Sequence, residues 1–483
     1  MTTQWPRADT TVNSTSRSLA GTKPREAYMR VKLPLADPSF PQLQVAGDPE
    51  SMRVLFQKHL RPLNNKVYQV RDCRLSRIRY RRGERCVLQY TLRLAEADTG
   101  SERIQWVTGV MYADDKTRRK WEKLRVSYPK QISEIISTFE PFSFIPDLGM
   151  LVQVFPYDRR LPTLPLLIAE PLPELESPLL ARFGSGNWRT EVWNVEPVRY
   201  RAGLGAALRL TVQGQDDATG RRMERRFYAK VYRDEGQGQQ THQVLRALQK
   251  HTRTNGEGFT VARPLAYLSG LRTLLQEEAP GTPLDEILLG DGDTTGAVRR
   301  VARALAAFNQ GEAPATTRRY LLADHAAYLE RAGRVLRRGC PHLRLEVESI
   351  IEGVLAGLEE VPLRPTHRHL SPDHIFLDGD RTTFIDLDMF AKADPVLDPA
   401  RLLTRLAMPA LFPIPRHRAA AREFAEEYFA HVPAAWHDRL PFHYAGTLLK
   451  TADGFFRRQA PDWPGRIAGL LEEARDSLAG KVW

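Results

Sequence analysis

The sequence predicts an α+β fold in which two similar antiparallel sheet units precede a mainly helical half. Three observations lead to this prediction. A stretch of alternating apolar and polar residues occurs twice, 120 residues apart. Beyond about residue 290, apolar residues recur at helical spacing. Inside that helical half, the segment HLSPDHIFLDGDRTTFIDLD contains two short strands around a Gly-Asp turn.

The repeat begins at Ile78 in IRYRRGERCVLQYTL and at Val198 in VRYRAGLGAALRLTV. The same spacing relates Tyr112 to Tyr232 without a gap. Each copy continues with a helical stretch and two more short strands. The predicted divisions are a disordered tail at 1–45, a degenerate copy of the sheet unit at 46–170, a linker at 171–187, a second sheet unit at 188–290 and a helical half at 291–483.

Six segments of the helical half have apolar residues at helical spacing. They are Ala297–Phe308, Tyr320–Arg337, Glu346–Glu359, Arg416–His431, Tyr444–Arg458 and Gly465–Leu478.

Composition narrows the class of protein. The chain has 483 residues, no apolar run long enough for a membrane span, and no apolar core typical of a secretory signal near its N-terminus. Its three cysteines are scattered, which favours reduced thiols and a cytoplasmic protein. The net charge of +12 comes without a recognition module, so a nucleic-acid partner is not favoured.

The two copies differ at one position that bears on chemistry. Lys230 lies in the predicted strand FYAKVYRD, whereas Val110 lies at the same place in VTGVMYAD. A strand lysine can contact nucleotide phosphates, and valine cannot. The first copy is therefore expected to be structural or to bind a protein partner. Gly203 and Gly205 in RYRAGLGAALRL suit a phosphate-covering turn, although an ordinary hairpin turn is the default explanation for them.

Four segments in a fixed order carry a family resemblance. They are FYAKVYRD, LLQEEAPGTPL, THRHLSPDHIFLDGDRTTFIDLD and DPVLDPARLL. From about Trp188 onward the chain resembles the aminoglycoside phosphotransferase and choline kinase-like family, which has a protein-kinase-like bilobal fold. The resemblance implies ATP-dependent phosphoryl transfer to a hydroxyl of a sugar, amino sugar or similar small molecule, with ATP and Mg²⁺ as cofactors.

The resemblance also implies a nucleotide site. Lys230 would contact the α- and β-phosphates, and the hinge around Glu277 and Ala279 would present backbone groups to adenine. The helical acid that usually pairs with the strand lysine is missing, because THQVLRAL offers Thr241 or His242 at that place.

The catalytic loop departs from the family pattern at two positions. Asp386 matches the family's Mg²⁺-binding aspartate, but His369 replaces the catalytic aspartate and His374 replaces a metal-binding asparagine. A neutral imidazole at position 369 can orient or deprotonate an alcohol. At position 374 imidazole is a poor ligand for Mg²⁺. Asp373 and Asp388 are alternative ligands, since Asp386 and Asp388 would share one face of a strand.

Three other interpretations stay open at this point. One is a pseudokinase that binds nucleotide or acts as a scaffold without turnover. Another is a zinc site built from His367, His369, His374 and Asp386. The third is an anionic polymer bound along the basic run of the first copy. That run consists of Arg71, Arg74, Arg77, Arg79, Arg81, Arg82 and Arg85.

Overall fold

The computed structural model describes residues 37–63, 66–127, 137–169, 171–255, 258–315, 317–408, 417–458 and 462–481. Residues 1–36, most of the predicted tail, lie outside these ranges. No described helix combines the length and the apolar character that crossing a membrane requires.

The first sheet unit, within residues 37–157, contains five antiparallel strands in the order β1-β2-β3-β5-β4. Its elements are α1 (Leu43–Gly47), α2 (Pro49–His59), β1 (Tyr68–Arg81), β2 (Arg85–Glu96), β3 (Glu102–Tyr112), α3 (Lys116–Ser127), β4 (Phe142–Ile145) and β5 (Met150–Val154). Phe40 and Leu43 are buried in its core. The folded chain therefore begins before residue 46, where the sequence analysis placed the boundary.

The second sheet unit, within residues 158–277, repeats this connectivity with the strand order β6-β7-β8-β11-β10. Its elements are α4 (Leu164–Ala169), α5 (Pro173–Leu180), β6 (Trp188–Arg201), β7 (Gly205–Asp216), β8 (Arg222–Tyr232), α6 (Glu235–Asn255), β9 (Phe259–Val261), β10 (Pro264–Leu268) and β11 (Thr273–Glu277). The first three strands begin and end 120 residues after those of the first unit. The two sheets therefore share their strand order, and their first three strands have equal lengths.

The segment 171–187, predicted to be a linker, contains α5. Leu175 and Leu179 of this helix are buried against the second sheet. Burying two leucine side chains stabilises the fold by roughly 3–6 kcal/mol before entropy is counted. The segment is therefore part of the second sheet unit.

An aspartate at the start of the first unit binds the turn between β1 and β2. The carboxylate of Asp37 accepts hydrogen bonds from the hydroxyl of Tyr80 and, at 3.0 Å, from the N–H of Gly83. Gly83 has φ +67, which favours glycine. The N-terminal segment DPSFPQL thus fixes the first hairpin.

The second unit has the same contact. Asp158 in DRRLPTL accepts from the hydroxyl of Tyr200 at 2.9 Å and from the N–H of Gly203 in the turn between β6 and β7. The two aspartates are separated by one residue more than the strands that they bind. This extra residue explains why a search at constant spacing misses the motif.

The helical half packs around one large apolar core. Its elements are β12 (Thr282–Pro283), α7 (Leu284–Leu289), α8 (Thr294–Gln310), α9 (Leu322–Gly339), α10 (Arg344–Ala356), β13 (Arg364–Thr366), β14 (Ile375–Asp378), β15 (Arg381–Phe384), β16 (Ala391–Ala393), α11 (Leu397–Ala407), α12 (His417–Ala430), α13 (Leu440–Arg458) and α14 (Trp463–Leu478). All six predicted helices are confirmed, with bounds that shift by a few residues.

A small mixed sheet connects the helical half to the second sheet unit. Its order is β12-β14-β15-β9, and β15 pairs in parallel with β9. The predicted Gly-Asp turn lies between β14 and β15, and Gly379 there has φ +56. This sheet brings the end of β15 close to β8, which carries Lys230.

The first sheet unit contacts both other parts of the chain. Gln89 donates to the carbonyl of Tyr200 at 3.3 Å, and strand β1 packs on α13. Arg82 donates to the carbonyl of Arg338 at 3.1 Å. Part of the surface that the sequence analysis offered to a protein partner is therefore covered by this chain itself.

Candidate active site

Lys230 on β8 meets two carboxylates that follow β15. Its Nζ contacts Asp386 Oδ1 and lies 2.7 Å from Asp388 Oδ2. The hydroxyl of Tyr232 donates to Asp388 Oδ1 at 2.8 Å. A strand lysine from the sheet unit and two acids from the helical half thus converge at one point.

The charges of neighbouring residues determine the direction of the pKa shifts of Lys230 and Asp386. Burial alone would lower the pKa of Lys230, but the charges of Asp388 and Asp386 raise it above its ordinary value. Burial would raise the pKa of Asp386, yet Lys230 and His374 hold it well below its usual range. The lysine is charged and both acids accept its hydrogen bonds, which is the state needed to bind phosphate and a cation.

Asp386 and Asp388 do not share a strand face, contrary to the sequence-based expectation. Strand β15 ends at Phe384, and Asp386 has φ 63 and ψ 46 in the left-handed region. A short helical turn, Leu387–Met389, follows. This turn, rather than strand alternation, aims both carboxylates at Lys230.

The helix α6 has no acid opposite Lys230 in its described part. Thr241 stands there instead, and its hydroxyl lies 3.4 Å from Asp388 Oδ1. The two acids after β15 therefore supply the counter-charge that a helical glutamate would otherwise give.

The catalytic loop is held by one buried carboxylate. Asp398 accepts from the backbone N–H groups of His367 and Arg368, both at 2.7 Å, and from the side-chain amide of Asn309 at 3.0 Å. Arg368 has φ 63, an unfavourable conformation for a residue with a side chain. Asp398 stabilises this conformation and thereby fixes the position of the next residue, His369.

His367 also holds the loop. Its Nε2 donates to the carbonyl oxygen of Ile385 at 2.8 Å. This bond ties the loop to the residue that precedes Asp386.

His369 accepts a hydrogen bond from an arginine. Arg401 Nη2 lies 3.0 Å from His369 Nδ1, and a guanidinium can only donate. The hydrogen of the neutral ring must therefore be on Nε2. Burial and, after it, the charge of Arg401 lower the pKa of His369 to about 2. His369 can thus orient a ligand through Nε2–H. Its other ring nitrogen, Nδ1, already accepts a hydrogen bond from Arg401.

His374 has the opposite tautomer. Its Nδ1 lies 3.0 Å from the carbonyl oxygen of His369, which only accepts, so Nδ1 carries the hydrogen. The Nε2 lone pair then lies 3.4 Å from Asp386 Oδ2 and 3.7 Å from Asp373 Oδ2. Burial lowers the pKa of His374, so the ring is neutral at physiological pH.

The donor set suits Mg²⁺ only when substrate supplies further ligands. In the described part of the chain, no group of three or more histidine, cysteine, aspartate or glutamate side chains is arranged to hold a metal ion. The zinc interpretation is therefore wrong for these residues. Asp386 and Asp388 already converge on one cation, and Mg²⁺ commonly takes one or two carboxylates plus phosphate oxygens. Asp373 contacts Ser371 and His374 instead.

The hinge follows β11. The carboxylate of Glu277 pairs with Arg182 at 2.5 Å, and its backbone N–H donates to Arg263, so this residue is structurally engaged. The N–H of Ala279 has no hydrogen-bond partner among the residues that the structure describes. Ala279 is thus the hinge position whose backbone remains available to a base.

The backbone structure explains why glycine occupies both positions of the predicted phosphate turn. The N–H of Gly203 is bound by Asp158, and its φ of +66 favours glycine. A Cβ on Gly205 would lie 2.9 Å from the carbonyl oxygen of Val231, so β7 could not approach β8 as closely. The hairpin explanation accounts for both residues.

Sequence reasoning missed several residues of this site. Arg401 is one helical turn beyond Asp398, and Arg199 Nη1 lies 4.0 Å from Asp386 Oδ2. Only the alternation of Arg199 and Arg201 on β6 gave a signal in the sequence.

Comparison with known protein families gives one match. The sequence model of the Phosphotransferase enzyme family, APH, matches residues 208–442. No curated protein sequence matches the chain.

Several solved structures are similar to this chain at low identity. Aminoglycoside phosphotransferase APH(2'')-Ib with bound ADP is 12% identical, with a TM-score of 0.40, and the match covers 63% of this chain and 99% of that one. A choline/ethanolamine kinase family protein from Mesorhizobium loti is 13% identical, with a TM-score of 0.40 and coverage of 65% and 92%. Choline kinase from Cryptosporidium parvum is 10% identical, with a TM-score of 0.42 and coverage of 60% and 91%.

The family match spans β8 with Lys230, the hinge, the catalytic loop and Asp386. The predicted α+β, protein-kinase-like arrangement of a sheet lobe followed by a helical lobe is confirmed. Residues 208–442 of this chain match the sequence model of the phosphotransferase enzyme family, in agreement with the resemblance seen in the sequence.

Proposed function

We propose that this protein transfers the γ-phosphoryl group of ATP to a hydroxyl group of a small molecule. The contact of Lys230 with both Asp386 and Asp388 carries the proposal. It joins the strand lysine to the acids after β15, and phosphoryl transfer needs this combination to hold phosphates and a metal ion together.

In the reaction, the acceptor oxygen forms a bond to the γ-phosphorus. The bond from that phosphorus to the oxygen bridging to the β-phosphate breaks, and this oxygen leaves with its electron pair on ADP. The hydroxyl proton passes to solvent, because His369 Nδ1 already accepts from Arg401. Such a transition state is loose, so positioning and charge neutralisation contribute more than proton abstraction.

The chain's own residues position the substrates. Lys230 would bind the α- and β-phosphates, and the N–H of Ala279 would bind the base. His369 Nε2–H would donate to a phosphoryl oxygen or to the acceptor. Mg²⁺, when bound, neutralises charge on the phosphate oxygens, and Asp386 and Asp388 are the residues that would hold it.

Calorimetric titration of ATP, with and without Mg²⁺, tests the nucleotide site. Lys230→Ala should weaken Mg²⁺-dependent binding by about tenfold or more, because a charge-assisted bond to phosphate is lost. Lys58→Ala, an exposed lysine on α2, is the matched control and should bind as wild type. Equal binding by Lys230→Ala and wild type would contradict the proposal.

A measurement of ADP release with the same protein distinguishes catalysis from nucleotide binding alone. If ATP binds in a Lys230-dependent way but no acceptor gives ADP release, the pseudokinase interpretation gains support. This measurement requires an acceptor of the right chemical class.

A further inference from the structure

Six arginines lie near one another beside the candidate active site. This arginine cluster draws on all three parts of the chain, namely the first sheet unit, the second sheet unit and helices α11 and α13. Its members are Arg77, Arg199, Arg201, Arg401, Arg405 and Arg458.

Local geometry brings four of these arginines to the catalytic loop. Arg199 and Arg201 alternate on β6 and therefore share a face, and Arg199 lies 4.0 Å from Asp386. Arg401 contacts His369 at 3.0 Å. Arg405, one turn further along α11, lies on the same helical face as Arg401.

The first sheet unit adds Arg77. On β1, Arg79 donates to the carbonyl oxygen of Ala202, which is adjacent to Arg201. Arg77 is two residues away on the same strand face. Strand β1 also packs on α13, which carries Arg458 at its end. The basic run of the first unit is thus divided, with Arg77 and Arg79 turned inward and Arg71, Arg74, Arg81 and Arg82 exposed.

Five of the six arginines lack a counter-ion among the described residues, and the exception is Arg199, which lies 4.0 Å from Asp386. In the part of the chain that the structure describes, Arg77, Arg201, Arg401, Arg405 and Arg458 have no carboxylate within ion-pair distance. The Nε groups of Arg77, Arg201 and Arg401 are buried and have no hydrogen-bond partner among the described residues. Buried unpaired donors of this kind are costly unless a ligand satisfies them.

The acids nearest the cluster have other partners, and only Asp386 lies within ion-pair distance of one of its arginines, Arg199. Asp386 and Asp388 bind Lys230, and Asp373 accepts from Ser371. Burial and the charges of Arg201, Arg79 and Arg199 lower the pKa of Arg77 to about 10, which agrees with mutual repulsion inside a partly buried group.

We infer that the acceptor is a small anionic molecule, carrying a phosphate or carboxylate group beside its reactive hydroxyl, and that the arginine cluster binds this group. This inference rests on the proposed function and names its substrate class. It also gives the first sheet unit a role in binding the acceptor, since that unit supplies Arg77 to the cluster. A polycationic acceptor would be repelled by the same six charges.

Inorganic phosphate is the probe, titrated calorimetrically into full-length protein that has been saturated with a non-hydrolysable ATP analogue and Mg²⁺. The analogue fills the nucleotide phosphate positions, so any phosphate that binds occupies a second site. Wild type should bind phosphate, and Arg77→Gln should weaken this binding by about tenfold while leaving analogue binding unchanged. Arg74→Gln, an exposed arginine on the same strand, is the matched control.

Arg405→Gln provides a second variant from the helical half if Arg77→Gln does not fold, and circular dichroism checks folding of both. Absence of phosphate binding to the loaded wild type would overturn the inference. Variants that weaken binding of the analogue instead of phosphate would also overturn the inference, because the cluster would then bind the nucleotide. If wild type fails to bind the analogue, the proposed function is wrong, while phosphate titrated into the unloaded protein still reports on the cluster.

Discussion

The guanidinium group of Arg401 donates to Nδ1 of His369 at 3.0 Å and thereby places the ring hydrogen on Nε2. The histidine at the position where the resemblance predicts a catalytic aspartate can thus donate a hydrogen bond through Nε2. The loss of a proton acceptor matters less for phosphoryl transfer than for reactions limited by deprotonation.

We therefore expect His369→Gln to keep ADP release within about tenfold of wild type, because a glutamine amide can also donate. A general base would be worth about 10²–10⁴-fold. ¹⁵N chemical shifts of labelled histidine, assigned by difference with this variant, should show the Nε2–H tautomer. A protonated Nε2 would be absent, and the variant nearly inactive, if His369 acted as a base.

His374→Asn should strengthen Mg²⁺-dependent binding of ATP and reduce any preference for Mn²⁺. The imidazole Nε2 faces Asp386 at 3.4 Å, and Mg²⁺ prefers oxygen ligands over nitrogen. Calorimetry at matched free Mg²⁺ and Mn²⁺ measures both effects. His342→Asn, an exposed histidine, is the control. Unchanged affinity for both ions would show that position 374 is not near the metal.

Asp158→Ala should lower the free energy of unfolding by about 2 kcal/mol. The substitution leaves the Tyr200 hydroxyl and the Gly203 N–H without their acceptor. Asp37→Ala should cost a similar amount, since Asp37 makes the equivalent contacts in the first unit. Urea denaturation checks this, with Asp98→Ala, an exposed turn residue, as control. A large loss of stability in only one of the two variants would show that the hydrogen bonds of Asp37 and Asp158 are not equivalent.

Stability should fall as the pH drops below about 6.5. Burial lowers the pKa of His325 to about 3 and that of His369 to about 2, and it also lowers the pKa of His367 and His374. Below about pH 6.5 the unfolded chain binds protons that the folded protein does not. Each of these histidines can then contribute up to ~1.4 kcal/mol per pH unit to the loss.

Urea denaturation between about pH 7.5 and about pH 5 measures this slope before most carboxylates titrate. Replacing His325 with Phe should reduce the slope, because its two ring nitrogens are buried without partners among the described residues. The exposed His342→Gln is the control. A slope that does not change in His325→Phe would contradict the assignment.

The sequence by itself determined the architecture, because hydrophobic periodicity and turn residues are local. The constant spacing of 120 residues predicted two similar sheet units, and the apolar spacing predicted the six helices. Lys230 and Asp386 could be identified because their neighbouring residues form a recognisable order along the chain. The one-residue shift before Asp158 concealed that α4 and α5 belong to the second unit.

Only the tertiary structure decided what the catalytic loop can do. The tautomers of His369 and His374 depend on Arg401 and on a backbone carbonyl, and no local pattern fixes such contacts. Asp386 and Asp388 meet Lys230 through a left-handed turn rather than along a strand. The arginine cluster likewise forms between residues as far apart in the chain as Arg77 and Arg458, because long-range packing determines which charges come together.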